Sequence, residues 1–202
     1  MNWYHFVSLA ALLICLINCS LSLIRLIIKG ETKDYARSQG STNKGIRYSM
    51  TGAMSPKKKE SAYLHLPTYT AGLLYHFGTF LSILLFVMSF FLIGYPDWLN
   101  WVFLGFLSLT GLNGIAILIK RMNNSALRKL SHPDDYISNL LVTAFQFATG
   151  LMVINYIPDA FYYLATSLLL LYIPAGKLMH MVFFFAARYH LGWFYGYRGV
   201  WR

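Results

Sequence analysis

The stretch AGLLYHFGTFLSILLFVMSFFLIG, Ala71 to Gly94, contains no Asp, Glu, Lys or Arg, yet it carries one histidine, His76. A helix needs about 20 apolar residues to cross a bilayer, so this stretch predicts a membrane-spanning helix. An imidazole ring inside hydrocarbon costs free energy unless its nitrogens find partners. The stretch therefore indicates the fold class, and His76 becomes a candidate functional residue.

Four further apolar blocks extend this reading to the whole chain. The chain has 202 residues, of which 57% are hydrophobic and 12% are charged, a composition too apolar for an ordinary soluble domain. The sequence predicts an all-α integral membrane bundle of five transmembrane helices that forms a single domain, residues 1–202. The predicted spans cover residues 3–28, 68–94, 98–119, 136–156 and 161–187, and residues 29–67 form a cytoplasmic loop.

The charges predict the orientation of these helices. The formal net charge is +10, with eight Lys and Arg residues from Lys29 to Lys59, four from Lys120 to Lys129, and three in the C-terminal tail. The two opposite connections contain no Lys or Arg, only Asp97 and Asp159. By the positive-inside rule, the N-terminus lies outside and the C-terminus in the cytoplasm. We therefore expect a multi-pass protein of the cytoplasmic membrane, with the lipid bilayer rather than nucleic acid as the partner of its basic charge.

Two histidines lie at similar predicted depths on different helices. His76 is about 14 Å along the second span from Pro67, and His180 is about 12 Å along the fifth span from Arg188. Two neutral imidazoles at one depth suit a planar cofactor held between axial ligands, and haem b is the candidate. The alternative is that each histidine hydrogen-bonds to a neighbouring helix without any cofactor.

The segment before His180 carries further signals. Pro174 and Gly176 predict a local kink in the fifth span. Lys177 follows them, and a lysine at that depth must reach the interface or pair with an anion. A haem propionate is one candidate for that counter-charge.

The residues around both histidines resemble a known family. LLYHFG, Leu73 to Gly78, resembles the L-F-H-I-G motif in the second span of the respiratory nitrate reductase gamma subunit. PAGKLMH, Pro174 to His180, resembles the P-x-S-[KR]-L-V-H motif near the end of the fifth span of that family. Within this superfamily, the longer stretch from Ser55 to Gly78 is more similar to membrane cytochrome b subunits of heterodisulfide-reductase-like complexes. These include the complex that serves dissimilatory sulfite reductase.

This resemblance implies a function in electron transfer. It makes His76 and His180 the axial ligands of the haem b nearer the cytoplasm. The chain would exchange electrons between the quinone pool and a cytoplasmic iron–sulfur partner subunit, which we expect on the basic face. As the electron-transfer subunit of a quinone-linked oxidoreductase, it would have no substrate chemistry of its own.

The sequence departs from the nitrate reductase branch at two positions. Phe86 and Tyr162 stand where that branch has histidines for an outer haem, so the resemblance implies that this second haem is not bound there. His65 and His190 are candidates for a different second haem near the cytoplasmic surface, with two solvated interfacial histidines as the alternative. The competing hypothesis for the whole chain is a cofactor-free membrane anchor or assembly scaffold.

Overall fold

A computed structural model describes residues 1–30, 35–58, 64–91 and 95–201 of the chain. The predicted cytoplasmic charges Lys33, Lys59 and Arg202, and the end of the predicted second span at 92–94, lie outside the described residues. The described residues are helical and contain no strand. The α-helices are α1 (Trp3–Gly30), α2 (Thr42–Met50), α3 (Leu66–Phe90), α4 (Asp97–Asn123), α5 (Ser125–Lys129), α6 (Pro133–Val153), α7 (Asp159–Tyr172) and α8 (His180–Tyr197).

Four of these helices are long and apolar enough to cross a membrane: α1, α3, α4 and α6. Helix α7 and the helical residues from Lys177 to Tyr197 are long and apolar enough only when taken together. If they form one broken span, they are a fifth candidate. The predicted all-α fold is therefore confirmed, with four or five helices among the described residues that are long and apolar enough to cross a membrane.

The helix breaks where the sequence predicts a kink. Helix α7 ends at Tyr172, residues 173–176 form a turn, and a 3₁₀ turn at Lys177–Met179 leads into α8. A Cβ atom on Gly176 would lie 2.5 Å from the Tyr172 ring, so a larger residue at this break would displace that ring. The predicted kink is confirmed, and the stretch 161–187 is two helices rather than one continuous span.

The chain divides into two compact units. We call residues 1–15 and 67–178 the bundle unit, and residues 16–66 and 179–202 the terminal unit. Helices α3, α4, α6 and α7 belong to the bundle unit, whereas α2 and α8 belong to the terminal unit.

The bundle unit buries polar side chains beside its apolar clusters, and its exterior is apolar. Its fully buried side chains include Ser8, Ser82, Thr110, Gln146 and Thr149, while large apolar side chains such as Phe80 and Leu109 are exposed. Hydrogen bonds join these buried groups across helices: the Gln146 Nε2 amide donates to the Tyr75 carbonyl at 3.1 Å and to the Thr79 hydroxyl at 2.9 Å, whereas Gln146 Oε1 accepts none from the described residues. In a bilayer such bonds and close packing hold helices together, because lipid is as apolar as the helix surfaces.

The terminal unit is built on close contact between α2 and α8. Gly45 of α2 lies against Gly192 and Gly196 of α8, where an added Cβ atom would meet backbone atoms. Beside this contact, the Ser49 hydroxyl donates to the Arg188 carbonyl at 2.7 Å, and the Arg188 guanidinium donates back to the Ser49 carbonyl. These interactions hold α2 firmly on α8, with Lys44 and Arg47 on its exposed side.

Candidate functional site

The nitrogens of His76 have distinct environments. His76 Nδ1 lies 2.7 Å from the carbonyl oxygen of Gly72, one turn earlier on α3. A carbonyl only accepts hydrogen bonds, so Nδ1 carries the proton and donates it. In the neutral ring Nε2 then holds the lone pair, which is the state that binds a metal.

The packing of α3 sets the direction of this ring. Gly78, Ser82, Leu85 and Phe86 form the buried face of the helix, and His76 lies on the exposed side. Spacings of three and four residues place side chains on one face of a helix, and His76 falls outside that set. The imidazole is therefore available to a group that approaches the unit from outside.

Gly72 leaves open space beside His76. A Cβ atom built on Gly72 would meet no atom within 4 Å. Residues four apart lie on the same helix face, so this open space adjoins the histidine. A flat macrocycle on this side of His76 would meet no side chain from position 72, while one turn later the exposed Phe80 ring lies 6.4 Å from the imidazole between centroids.

These features fit a haem ligand. Neutral imidazole is a common axial ligand of haem iron, and a second hydrogen bond from the ring to a carbonyl typically fixes its tautomer and orientation. His76 has such a hydrogen bond within its own helix, and its neutral form presents Nε2 for ligation.

The structure places His180 at the start of α8, in the terminal unit. Its side chain is exposed, while Val182 and Ala186 form the buried face of that helix. His76 belongs to the bundle unit, and the pairing of His76 with His180 as axial ligands of one haem stays a prediction.

Lys177 has a protein counter-charge that the sequence analysis did not identify. Its Nζ atom lies 2.5 Å from Asp135 Oδ1, and Arg121 Nη1 lies 3.3 Å from the same oxygen. The Asp135 side chain is 7% exposed, and its other oxygen accepts a hydrogen bond from the His132 backbone N–H at 2.8 Å. The three charged side chains together carry one net positive charge.

Asp135 was missed because it precedes the predicted start of the fourth span at Tyr136. The signal was present in His132-Pro133-Asp134-Asp135. A carboxylate at the third helical position often bonds back to the backbone that begins a helix, and proline favours the first helical position.

The two candidates for a second haem differ in their surroundings. His65 is exposed immediately before α3. His190 is partly buried, and its Nε2 lies 3.1 Å from the Leu26 carbonyl, to which it donates. His190 therefore already has one protein partner, and whether either histidine binds a haem stays a prediction.

Phe86 and Tyr162 pack against each other in the bundle unit. Both side chains are fully buried, and their ring centroids lie 6.3 Å apart. They belong to the main apolar cluster of that unit, together with Val142, Phe145 and Tyr163.

A cavity of about 380 Å³ adjoins this cluster, and we call it the tyrosine cavity. Its lining includes the polar side chains of His5, Asn100, Asp159, Tyr162 and Tyr163. The Tyr163 hydroxyl donates to Ser89 Oγ at 2.8 Å, and the His5 ring lies 4.4 Å from the Tyr163 ring between centroids.

One polar atom of this lining lacks a partner. Asn100 Oδ1 is buried and accepts no hydrogen bond from the described residues. A buried unpaired acceptor costs roughly 1–3 kcal/mol, so a ligand hydroxyl bound here would gain from pairing with it. No sequence pattern marks this residue as functional, because asparagine near a helix start is ordinary.

Comparison with protein-family models, curated proteins and solved structures finds no significant match to this chain.

Proposed function

We propose that this chain is a haem b-containing membrane subunit of a respiratory oxidoreductase. It passes electrons between the quinone pool and a cytoplasmic iron–sulfur partner, as the resemblance of its two histidine motifs implies. The observation that carries the proposal is the state of His76. Its Nδ1 is bonded to Gly72, its side chain is exposed, and space is open beside it.

The axial ligands in this proposal are His76 and His180. A bound haem b would supply a one-electron carrier, and the protein would set its potential through ligation and burial. The Gly72 carbonyl would keep the His76 ring oriented and hold the proton of its neutral form on Nδ1, so that Nε2 faces the iron. Lys177 and Arg121 share Asp135, and their remaining positive charge suits a propionate.

The tyrosine cavity supports the assignment of a quinone as the membrane partner. A quinol ring carries two hydroxyl donors on an apolar body. Asn100 Oδ1 would accept from one hydroxyl, and the rings of Tyr162 and Tyr163 would contact the body. His5 and Asp159 in the same lining are proton acceptors for a quinol that is being oxidised.

The basic surface of the terminal unit suits the iron–sulfur partner. Lys44 and Arg47 extend from the exposed side of α2, which the glycine contact holds on α8. Charged patches of this kind steer association with a surface of opposite charge. We expect the partner to present carboxylates to this face.

An absorption spectrum tests the haem assignment. The full-length protein, purified from haem-replete cells, should give a reduced-minus-oxidised spectrum of b type. His76→Ala and His180→Ala should each abolish it, and His132→Ala, which removes an exposed histidine, should not. A colourless protein that elutes as a single folded species would overturn the proposal.

The second candidate function is a cofactor-free anchor or scaffold. It is favoured by the protein partners of His190 and Lys177, since groups that already pair within the protein need no cofactor. The same spectrum separates the two functions, because a scaffold folds without colour.

A further inference from the structure

A groove in the terminal unit runs between the last turn of α1 and one face of α8. Its volume is about 440 Å³, and it is lined by Leu26, Lys29, Gly30, Phe183, Ala186, Ala187 and His190. Apart from Lys29 and His190, these lining residues are apolar or lack a side chain. We call this feature the Lys29 groove.

Packed atoms fix the shape of the groove. The His190 ring occupies the position that a Cβ atom on Gly30 would take, so α1 and α8 approach closely there. The bond from His190 Nε2 to the Leu26 carbonyl, at 3.1 Å, holds that ring in place. Ala186 and Ala187 are small, and the wall they form is concave.

The groove joins an apolar wall to a positive charge. Lys29 ends a 28-residue apolar helix, a position where lysine side chains reach the headgroup region of a bilayer. Leu26 lies one turn deeper, and Phe183 lines the wall formed by α8. A ligand with a phosphate and an acyl chain matches both parts.

The charge of the surrounding unit favours an anion. In the sequence, the terminal unit contains twelve Lys and Arg residues and three Asp and Glu residues, whereas the bundle unit contains five and four. The terminal unit therefore carries +9 of the net charge of +10. Within its described residues there are nine Lys and Arg residues and no Asp or Glu.

We propose that the Lys29 groove binds one anionic phospholipid. Its phosphate lies at Lys29, and one acyl chain lies along Leu26 and Phe183. Basic pockets between transmembrane helices are recognised sites for anionic headgroups. The proposal does not depend on the haem assignment, because neither proposed axial ligand, His76 or His180, lines the groove.

The groove favours a lipid over an acidic protein segment. Large apolar side chains, Ile24 and Ile28, are exposed on the same end of α1. Carboxylate side chains of a protein would find one cation in the groove and an apolar wall around it, whereas an acyl chain is compatible with that wall.

Native mass spectrometry tests the headgroup. The full-length protein is reconstituted with phosphatidylglycerol and phosphatidylcholine in equal amounts, and the lipid retained after release is identified. Wild type should retain one phosphatidylglycerol. Lys29→Gln should weaken its retention about fivefold, the effect of one charge near a headgroup. The matched control Lys44→Gln removes the same charge from α2, outside the groove, and should have no effect.

A second pair of variants tests the acyl site. Ala187→Leu fills the groove from its exposed wall and should reduce the retention of phosphatidylglycerol by a similar factor. Ala10→Leu, an exposed alanine elsewhere on α1, is the control and should leave it unchanged. Circular dichroism and elution volume confirm that each variant is folded, and the haem spectrum is recorded separately as an independent readout.

Several results would overturn the proposal. Equal retention of phosphatidylcholine and phosphatidylglycerol would show that the charge of the headgroup does not determine binding. Equal losses of phosphatidylglycerol retention in Lys29→Gln and Lys44→Gln would show that the lipid is attracted by the basic surface in general and not by the groove. Displacement of the lipid by glycerol 3-phosphate alone would show a phosphate site without an acyl site, and displacement by a poly-glutamate peptide would point to a protein partner.

Discussion

The hydrogen bond between His76 and Gly72 shows which properties of a single residue can be predicted from sequence and which cannot. An imidazole in an uncharged run could be recognised as unusual from hydropathy alone. The tautomer and the exposure of this ring could not be predicted. The tautomer depends on the 2.7 Å contact with the Gly72 carbonyl, and the exposure depends on which face of α3 is buried. Gly72 gains its importance from this neighbour, and nothing in its local sequence indicates it.

Filling the space beside His76 should release the cofactor. Gly72→Leu adds a side chain where no atom lies within 4 Å, so we expect the protein to fold but to retain haem about tenfold more weakly. Overpacking a fitted site costs ~1–3 kcal/mol. The measurement is haem absorbance per mole of protein after dilution. Gly105→Leu is the matched control, since a Cβ on Gly105 also meets nothing within 4 Å. Equal haem loss in both variants would contradict the placement of a haem beside Gly72.

The two remaining histidines can be tested by stoichiometry. His190→Gln keeps a side-chain donor for the Leu26 carbonyl but removes the imidazole, and His65→Ala removes an exposed ring. If His76 and His180 hold a single haem, both variants should retain the full haem content of wild type in a pyridine haemochrome assay. A loss of half of the haem in either variant would instead support a second site.

Asp135 is the carboxylate that pairs with both Lys177 and Arg121. Asp135→Asn leaves Lys177 and Arg121 without their shared carboxylate. The carboxylate is buried but both cations are partly exposed, so screening reduces the cost to about 1–2 kcal/mol of unfolding free energy. Unfolding in mixed micelles measures it, with Asp134→Asn as the control one residue away. A smaller loss in the double variant Asp135→Asn, Lys177→Gln is expected, because that variant also removes one of the two cations that lose the carboxylate.

At the scale of helices, the lengths of the apolar blocks predicted the long helices correctly, whereas the polar composition of the loop gave no sign of α2. The long apolar blocks became α1, α3, α4 and α6, and Pro174 with Gly176 marked the break after α7. The helix α2 was missed because the stretch GSTNKG is polar and rich in residues that favour turns. Its stability depends on Gly45 lying against Gly192 and Gly196, which are about 150 residues away in the sequence and leave no local pattern.

Widening that contact should detach α2. A Cβ on Gly45 would meet backbone atoms of α8, which cannot move aside as a side chain can. Gly45→Ala should therefore raise the rate of tryptic cleavage after Lys44 and Arg47 by at least about fivefold, since a strained contact of ~1–3 kcal/mol increases local opening by that factor or more. Asn43→Ala, on the exposed side of α2, should cleave at the wild-type rate. An unchanged rate in Gly45→Ala would mean that α2 is held by other contacts.

At the scale of the whole chain, charge asymmetry predicts a topology that cysteine labelling can check. Cys15 and Cys19 are both buried and form no disulfide, and they are first replaced by alanine. In intact cells, a membrane-impermeant maleimide should label Asp97→Cys from outside. It should label Asn43→Cys and Arg128→Cys only after the membrane is opened. Labelling of Asn43→Cys in intact cells would reverse the proposed orientation.

The apolar exterior of the bundle unit has a consequence for how this protein responds to temperature. Its buried side chains include Ser8, Ser82, Thr110 and Gln146, whereas its exposed surface carries residues such as Phe80. Separating its helices within a bilayer would expose little apolar surface to water. The heat-capacity increment of that step should therefore be small, since it arises from hydrating apolar surface. A stability curve for this chain in lipid should be nearly linear in temperature, without the maximum near room temperature that water-soluble domains show.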